Sequence, residues 1–324
     1  MSRRPSPGSQ AGARPTVLLV DDHQPILDTV SATLAGDFDV AGVATSGAQA
    51  LDVARAVDPD LIVLDVTMPG LDGFQTARAL EEAGSRARII FLSMHDADDY
   101  VGEAFRCGGR GYVLKTRVAR DLAHALDHAL AGRLFVPTLT SLFHVANGGG
   151  HAMELHGDED SFVDGMAAFF DMALRRGDAT CVIGTESLRE GLESRLRARG
   201  WDIGSHRRYV AVDAQQALNR FMDDGLPDPS RLAEVAAELD QYRRGVGEGA
   251  VPRLTVFGNM VALLHEQGND QGVLAVESLW NTLTRGLPFF TLCGYSTACF
   301  DDSASEVLEG ACAAHWAVSH ARAL

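Results

Sequence analysis

Four short apolar runs in the first half of the chain each end in a polar residue. Short apolar runs bounded by turn residues predict parallel strands that are buried on both faces of a sheet. The runs cover residues 17–20, 61–64, 89–92 and 111–114, and the polar residues that follow them are Asp21 with Asp22, Asp65, Ser93 and Lys115. Because parallel strands present their carboxyl ends at one edge of a sheet, we expect these side chains to lie together.

The chemistry of this set predicts a phosphoryl-accepting site. Three carboxylates at one edge repel one another unless a cation lies among them, and Mg2+ prefers carboxylate, water and phosphate oxygens. We therefore expect Mg2+ at Asp21, Asp22 and Asp65, with Asp65 as the nucleophile that accepts the phosphoryl group. Lys115 and the Ser93 hydroxyl would then face the phosphoryl oxygens. A doubly wound domain with acidic loop ends and no chemistry is the alternative, and five positions in order argue against it.

The motifs around these positions resemble the receiver domain of two-component response regulators over about residues 15 to 135. They are Asp21-Asp22-His23, the stretch from Asp65 to Gly73, and Gly-Tyr-Val-Leu-Lys at 111–115. The resemblance implies a flavodoxin-like (βα)5 fold, Mg2+ as cofactor and a sensor histidine kinase as partner. It implies the following roles: Asp65 as phosphoacceptor, Asp21 and Asp22 as metal ligands, Ser93 as switch hydroxyl, Lys115 as phosphate-binding lysine and Tyr112 as switch aromatic.

The bulk composition limits the remaining function classes. The 324 residues suffice for two domains, and the formal net charge of −16 argues against broad binding to a nucleic-acid backbone. DNA binding is therefore not expected, and no apolar stretch reaches the length of a membrane span. The five cysteines are Cys107, Cys181, Cys293, Cys299 and Cys312. Scattered and odd in number, they predict reduced thiols and a cytoplasmic protein.

The order of patterns along the chain predicts five segments. Residues 1–16 have no apolar core and are expected to be a disordered leader. A receiver domain over 17–135 precedes a linker at 136–150, which is marked by three consecutive glycines. Alternating strand and helix patterns predict a second α/β domain over 151–302. Its strands are expected at residues 178–184, 208–213, 253–257 and 289–295. The Ala-rich segment 303–324 is expected to be a helical tail.

The second half resembles the MEDS domain, a methanogen/methylotroph sensory module distantly related to RecA-type and circadian-clock ATPases. The resemblance rests on His151, the aromatic-rich helix before Arg176, residues 185–188, and Leu-Cys-Gly-Tyr at 292–295. It implies a C-terminal α/β fold of RecA-like type. A P-loop needs a lysine that meets the phosphate charge. Residues 151–178 contain no lysine, so the domain is predicted to lack a P-loop and to hydrolyse no ATP.

A ligand of the second half is expected in the crevice beyond the strand ends of an open sheet. The candidate positions are His151, Gly184, Asn259 and Tyr295. Each of the four also has a packing or turn role that would explain it.

Other reactive side chains of the second half are interpreted structurally. His151, Glu154 and His156 lack further ligands at fitting spacing for a metal site. Cys293 is expected to be a buried small hydrophobe, and His315 is expected at the surface.

These observations predict a phosphorylation-controlled response regulator of a two-component phosphorelay. It would signal through its MEDS-like domain rather than through a DNA-binding domain, and its only chemistry would be phosphotransfer and self-dephosphorylation of the receiver. The alternatives are a receiver-gated nucleotide-dependent enzyme and a small-ligand sensor in the C-terminal domain. The cognate kinase, the downstream protein or small ligand, and the oligomeric state, including a homodimer, stay open.

Overall fold

The computed structural model describes residues 14–145, 149–247, 249–297 and 305–320. The chain divides into two compact units, with the division between Gly132 and Arg133. Most of the leader predicted at 1–16 and the side chain of Cys299 lie outside the described residues.

The described residues of the first unit form a parallel sheet flanked by helices. Its strands are β1 (Thr16–Val20), β2 (Asp39–Ala44), β3 (Leu61–Asp65), β4 (Arg88–Ser93) and β5 (Gly111–Leu114). Its α-helices are α1 (Gln24–Leu34), α2 (Gly47–Val57), α3 (Gly73–Glu82), α4 (Asp98–Arg106) and α5 (Val118–Leu130). The strand order is β2-β1-β3-β4-β5, and all neighbours are parallel. This order is that of flavodoxin-like folds, so the predicted flavodoxin-like (βα)5 fold is confirmed.

The apolar runs of the first unit are buried as their composition predicts. Every residue of β3 and β5 is buried, and the core contains Leu18, Ile62 and Phe91. Helix α5 ends at Leu130, and Gly132 follows with a φ of +79°. Glycine adopts this left-handed conformation without steric cost, so Gly132 ends the helix.

The second unit is also an α/β structure with a parallel sheet. Its strands are β6 (Leu134–Val136), β7 (Gly150–His156), β8 (Ala179–Gly184), β9 (Tyr209–Asp213), β10 (Met222–Asp223), β11 (Leu226–Pro227), β12 (Leu254–Gly258), β13 (Phe289–Ser296) and β14 (Ala317–His320). Its helices are α6 (Leu139–Val145), α7 (Glu159–Arg176), α8 (Glu186–Ala198), α9 (Ala214–Phe221), α10 (Pro229–Gly245), α11 (Met260–Glu266), α12 (Asp270–Thr284) and α13 (Ser305–Ala314). The sheet order is β6-β14-β7-β13-β12-β8-β9, with β10 and β11 in a separate hairpin.

The structure differs from the sequence prediction in the linker. Residues 136–150 were expected to be irregular, but helix α6 occupies Leu139–Val145 and its Leu142 is fully buried. Strand β7 begins at Gly150, where a Cβ atom would come within 1.9 Å of the Trp316 indole nitrogen. This glycine therefore serves close packing rather than flexibility. Ala146, Asn147 and Gly148 lie outside the described residues.

The prediction of a helical tail at residues 303–324 is only partly correct. Helix α13 covers Ser305–Ala314, but the chain then forms β14, which pairs with both β6 and β7. Pairing on both sides overrides the weak helical preference of a four-residue segment. The prediction that His315 lies at the surface is also wrong, because its side chain is buried.

Candidate functional site

Strands β1, β3, β4 and β5 place their terminal polar residues at one edge of the first sheet. Asp21 follows β1, Asp65 and Ser93 end β3 and β4, and Lys115 follows β5. The side chains of Asp21, Asp65 and Ser93 are buried. Parallel pairing of β1 with β3, β3 with β4 and β4 with β5 brings these positions together from four separate parts of the sequence.

Lys115 forms the charged centre of this edge. Its Nζ lies 2.6 Å from Asp21 Oδ2 and 2.9 Å from Asp65 Oδ2, and its side chain is 9 % exposed. Burial lowers the pKa of Lys115, but hydrogen bonds with Asp21 and Asp65 outweigh burial, so the pKa is raised overall. The ammonium group therefore stays charged between two carboxylates that water does not screen well.

A hydrogen bond and an ion pair hold the Asp65 carboxylate in one orientation. Its Oδ1 accepts a hydrogen bond from the Thr67 backbone N–H (3.2 Å), and its Oδ2 faces Lys115. Burial, together with the nearby Asp21 charge, raises the pKa of Asp65, while Lys115 opposes this rise. A buried carboxylate with a fixed cationic neighbour is typical of functional sites.

The carboxylates at this edge fit a magnesium ion. Asp21, Asp22, His23 and Asp65 each offer one ligand atom, and these atoms lie within 4.8 Å of one another. Mg2+ prefers oxygen ligands, so the three carboxylates are the donors that the ion selects. His23 instead contacts Asp22 Oδ1 through Nδ1 at 2.8 Å. Asp21, Asp22 and Asp65 would therefore hold the ion.

The turn after β3 depends on a glycine at position 73. A Cβ atom at Gly73 would lie 2.2 Å from the Asp65 carbonyl oxygen and 2.8 Å from Val66 Cα. Asp72 caps α3 directly before it, with Asp72 and Gln75 forming a reciprocal capping box. The Asp72-Gly73 pair thus packs helix α3 against the backbone of Asp65 and fixes that residue's position.

Ser93 and Tyr112 meet at the His95 backbone. The Ser93 hydroxyl accepts a hydrogen bond from the His95 N–H (3.0 Å), and Tyr112 donates to the His95 carbonyl oxygen (2.7 Å). Burial raises the pKa of Tyr112 to about 12. The tyrosine is fully buried, so the loop after β4 couples the two predicted switch residues. No sequence pattern pointed to the part played by His95, because only its backbone takes part.

The four positions proposed for a ligand in the second unit do not form one site. Gly184 ends β8, and Asn259 follows β12, the strand beside it. The Asn259 N–H donates to the Ile183 carbonyl oxygen (3.1 Å), so Gly184 and Asn259 do lie at one sheet edge. His151 instead lies at the start of β7, and Tyr295 is fully buried within β13.

His151 and Tyr295 both contact Glu277, which the sequence analysis did not single out. The Tyr295 hydroxyl donates to Glu277 Oε1, and His151 Nε2 lies 3.3 Å from Glu277 Oε2. Burial and the neighbouring His315 lower the pKa of His151 to about 4. Burial likewise lowers the pKa of His315 to about 4. Both rings are therefore neutral at neutral pH, inside the core rather than at a strand-end crevice.

Comparison with protein-family models assigns both units. Residues 150–315 match the model of the MEDS domain, described as the methanogen/methylotroph, DcmR sensory domain. The chain belongs to the MEDS family. Residues 17–127 match the response regulator receiver domain, so this MEDS protein also carries a receiver domain, and the predicted order of the two is confirmed. Among the described residues, no helix has both the length and the apolar character that a membrane span requires.

Curated relatives match the receiver part of this MEDS protein. The nitrate/nitrite response regulator protein NarL of Escherichia coli K12 is 38 % identical over 121 residues, which are 37 % of this chain and 56 % of NarL. The transcriptional regulatory protein DesR of Bacillus subtilis is 30 % identical over 136 residues, covering 41 % of this chain and 67 % of DesR. The chain spans about half the length of the first of these relatives.

A solved structure also resembles the receiver part. The signal receiver domain of the putative response regulator NarL from Mycobacterium tuberculosis is 32 % identical, with a TM-score of 0.33. The match covers 35 % of this chain and 97 % of that domain.

Proposed function

We propose that this MEDS protein is a phosphorylation-controlled response regulator that accepts a phosphoryl group on Asp65. The observation that carries the proposal is the Lys115 ammonium, which lies within 2.9 Å of both Asp21 and Asp65 at a buried sheet edge. The match to the receiver-domain model and the similarity to NarL and DesR support the same conclusion. A receiver domain implies a histidine kinase as partner, and receiver domains generally use Mg2+.

The chemistry follows from the positions of the charges. A carboxylate oxygen of Asp65 attacks phosphorus, and the bond between phosphorus and the donor breaks as the new bond forms. Lys115 stabilises the charge that gathers on the phosphoryl oxygens. Mg2+, held by Asp21, Asp22 and Asp65, would supply further positive charge there. The Thr67 N–H keeps the carboxylate oriented while this happens.

The contacts of Ser93 and Tyr112 support a switch in the loop after β4. A phosphoryl group on Asp65 offers the Ser93 hydroxyl a charged acceptor, which is stronger than a neutral one. Movement of Ser93 would disturb its bond from the His95 N–H, and Tyr112 donates to the carbonyl of the same residue. The charge change is thereby passed to a buried aromatic ring and to the surface around α4.

We further propose that the MEDS unit, rather than a DNA-binding domain, carries the output to a downstream protein or small ligand. The MEDS match occupies residues 150–315, and the formal net charge of the chain is −16. DesR is named a transcriptional regulator, but its similarity extends over only 41 % of this chain. A DNA shift assay with the phosphorylated protein tests this point, and specific binding at physiological salt would contradict it.

Lys115→Ala and Ser93→Ala should have different effects, because Lys115 balances the charge of two carboxylates and Ser93 is proposed to respond to the phosphoryl group. Lys115→Ala leaves Asp21 and Asp65 without their shared cation, which costs about 3–5 kcal/mol for a buried pair. We expect a lower melting temperature that Mg2+ partly restores, and weak labelling by acetyl phosphate. Ser93→Ala should accept phosphate but lose the response, measured as hydrogen exchange of residues 93–100.

The two variants also test each other. Equal loss of labelling in both would contradict the separate roles of Lys115 and Ser93. If phosphorylation changes the hydrogen exchange of Ser93→Ala as much as that of the wild-type protein, the Ser93 hydroxyl does not respond to the phosphoryl group. Thr33→Ala provides a matched control, because its hydroxyl donates to a carbonyl within α1 and lies outside the site.

A small-ligand sensor in the second unit is supported by one specific observation. Asn259 Oδ1 is buried and has no hydrogen-bond partner among the described residues. Buried polar atoms are usually satisfied, and Asn259 stands beside Gly184 at the edge where open α/β sheets bind ligands.

We expect no ATP turnover above background from the full chain. The turn after β8 has Gly184, Thr185 and Glu186 in place of a P-loop lysine, and an acidic side chain there repels phosphate. The nearby Arg189 already donates to the Gly184 carbonyl oxygen (3.1 Å) and pairs with Asp213 (3.5 Å). Phosphate release from ATP is the measurement. Turnover that disappears in Asn259→Ala would establish the enzyme alternative instead.

A further inference from the structure

Four potential metal ligands meet inside the second unit, away from the edge at Gly184 and Asn259. They come from four elements: His151 from β7, Glu277 from α12, Cys293 from β13 and His315 from the turn between α13 and β14. Their exposed fractions are between 2 % and 6 %. One ligand atom from each lies within 4.8 Å of all the others.

The backbone geometry explains why these side chains converge. Residues 291, 293 and 295 of β13 alternate with the residues between them and face one side of the sheet. That side packs against α12, where Trp280 donates to the Thr291 hydroxyl (2.9 Å) and Glu277 accepts from Tyr295. In the parallel register, Thr291 pairs with His151, which places the histidine beside Cys293. His151 Nε2 lies 3.1 Å from Cys293 Sγ.

Hydrogen bonds fix which nitrogen of each imidazole faces the cluster. His315 Nδ1 lies 2.6 Å from the Ala311 carbonyl oxygen, an acceptor, so Nδ1 carries the proton. Asn281 Nδ2 donates to the Ala314 carbonyl oxygen (2.6 Å), which turns its Oδ1 toward His151 Nδ1 at 3.0 Å. His151 therefore also donates from Nδ1. In the neutral rings, both Nε2 atoms then present lone pairs to the cluster, as in metal-binding histidines.

These lone pairs face another electron-rich group. His151 Nε2 and His315 Nε2 lie 3.3 Å and 3.6 Å from Glu277 Oε2. His315 Nε2 is buried without a hydrogen-bond partner among the described residues. A buried, unsatisfied acceptor pointing at a carboxylate costs free energy unless a proton or a cation lies between them.

We propose that His151, Glu277, Cys293 and His315 bind one divalent metal ion of the zinc class. Zinc bonds of about 2.0–2.3 Å in a tetrahedron require ligand atoms about 3.3–3.7 Å apart. Three of the six distances between the ligand atoms are 3.1, 3.3 and 3.6 Å, and the other three are no longer than 4.8 Å. The mixed nitrogen, sulfur and oxygen set suits Zn2+ and Co2+ and disfavours Mg2+ and Ca2+.

Charge balance supports the same ion. A divalent cation bound to the Cys293 thiolate and the Glu277 carboxylate forms a neutral group with two neutral imidazoles. Neutrality matters because an uncompensated charge in a buried site is costly. Since the metal ligand is the thiolate, binding must release the thiol proton of Cys293.

A small cavity and a surface cleft adjoin the proposed site. A cavity of about 40 Å3 is lined by His151, Glu277, Cys293 and Thr291 and otherwise by apolar residues. This exceeds the roughly 10–15 Å3 that one water molecule needs. A surface cleft of about 700 Å3 reaches His151 and Asn281 from outside.

A bound ion would link the segment before β14 to strands β7 and β13 and to helix α12. His315 lies two residues before β14, whereas the other three ligands belong to β7, α12 and β13. Coordination would therefore hold β14 in its place between β6 and β7. Because the unfolded chain holds no preformed site, binding free energy adds to folding stability.

Cobalt binding to the full-length protein tests the proposal directly. The protein is stripped with chelator, supplied with Mg2+ to occupy the acidic receiver edge, and titrated with Co2+. We expect one Co2+ per chain, a near-ultraviolet band from thiolate-to-cobalt charge transfer, intense visible bands of tetrahedral cobalt, and displacement by Zn2+. The melting temperature should rise with the metal. Absence of the charge-transfer band in the wild-type protein would overturn the proposal. The four side chains would then only share protons with one another.

Two matched cysteine variants identify the thiol. Cys293→Ser should lose the charge-transfer band, whereas Cys181→Ser, which alters an equally buried cysteine in β8, should keep it. His315→Gln should weaken Co2+ binding by at least about 10-fold. Circular dichroism and receiver labelling check that each variant is folded. Retention of the band in Cys293→Ser, or its loss in folded Cys181→Ser, would contradict the assignment.

Discussion

Asp65→Asn is expected to reduce phosphoryl labelling of the protein by acetyl phosphate and Mg2+ to background. The amide that replaces the carboxylate has the same shape but is not a nucleophile, so no acyl phosphate can form. Asp21, which lies 2.6 Å from Lys115 in the wild-type protein, remains as a counter-ion for the lysine, so the fold should persist. The label that remains after acid treatment and the label that remains after base treatment are measured separately, because base cleaves an acyl phosphate.

The control for Asp65→Asn is Asp52→Asn on α2. The Asp52 side chain is 83 % exposed, and its ion pair with Arg55 spans 4.0 Å. Labelling of this variant should equal that of the wild-type protein. Residual label on Asp65→Asn, or label that resists base, would place the phosphoryl group on another residue and refute the role of Asp65.

Residues 151–302 alone should fail to fold as a stable unit, whereas residues 133–324 should fold. We propose these wider limits because β14 pairs with β6 on one side and β7 on the other, and the shorter segment omits β6 and β14. Val318 is fully buried, and burial of a valine side chain contributes about 1.5–3 kcal/mol. Loss of β14 also exposes the edge of β7 to pairing with other chains.

The measurement is thermal unfolding with light scattering. Loss of about 3 kcal/mol lowers the melting temperature of a unit of this size by about 6–12 °C. We expect a cooperative transition for residues 133–324 and aggregation or a lower, broad transition for residues 151–302. Equal melting temperatures would show that β6 and β14 are accessory, and the narrower domain limits of the sequence analysis would then stand.

The sequence determined most of the first unit by itself. Each apolar run is a strand buried on both faces, so hydrophobicity alone located β1, β3, β4 and β5. The polar residue that ends each run falls at one edge because parallel strands share their direction. Sequence spacing did not indicate that Lys115 would bridge Asp21 and Asp65 rather than face one of them. That contact depends on the order of β1, β3 and β5 in the sheet.

In the second unit, the sequence located the strands that have strong local patterns. The predicted strands near 178–184, 208–213, 253–257 and 289–295 correspond to β8, β9, β12 and β13. Strands β6, β7 and β14 of the sheet and the hairpin strands β10 and β11 were missed. Strands β6 and β14 have only three and four residues. The glycines at the start of β7 indicate a flexible linker in the sequence, and only the structure shows Trp316 packed against Gly150. Strand pairing and close packing are long-range interactions, which local propensity does not encode.

The cluster around Glu277 was decided entirely by tertiary structure. His151 and His315 are far apart in sequence, so no ligand spacing could reveal them, and Cys293 and Tyr295 have ordinary strand patterns. The parallel register sets His151 beside Cys293, and α12 carries Glu277 onto the same face. The sequence thus determined which apolar runs would be buried and which strands would end in a polar residue. The tertiary structure decided which buried polar groups meet, because only the packing of helices on the sheet brings them together.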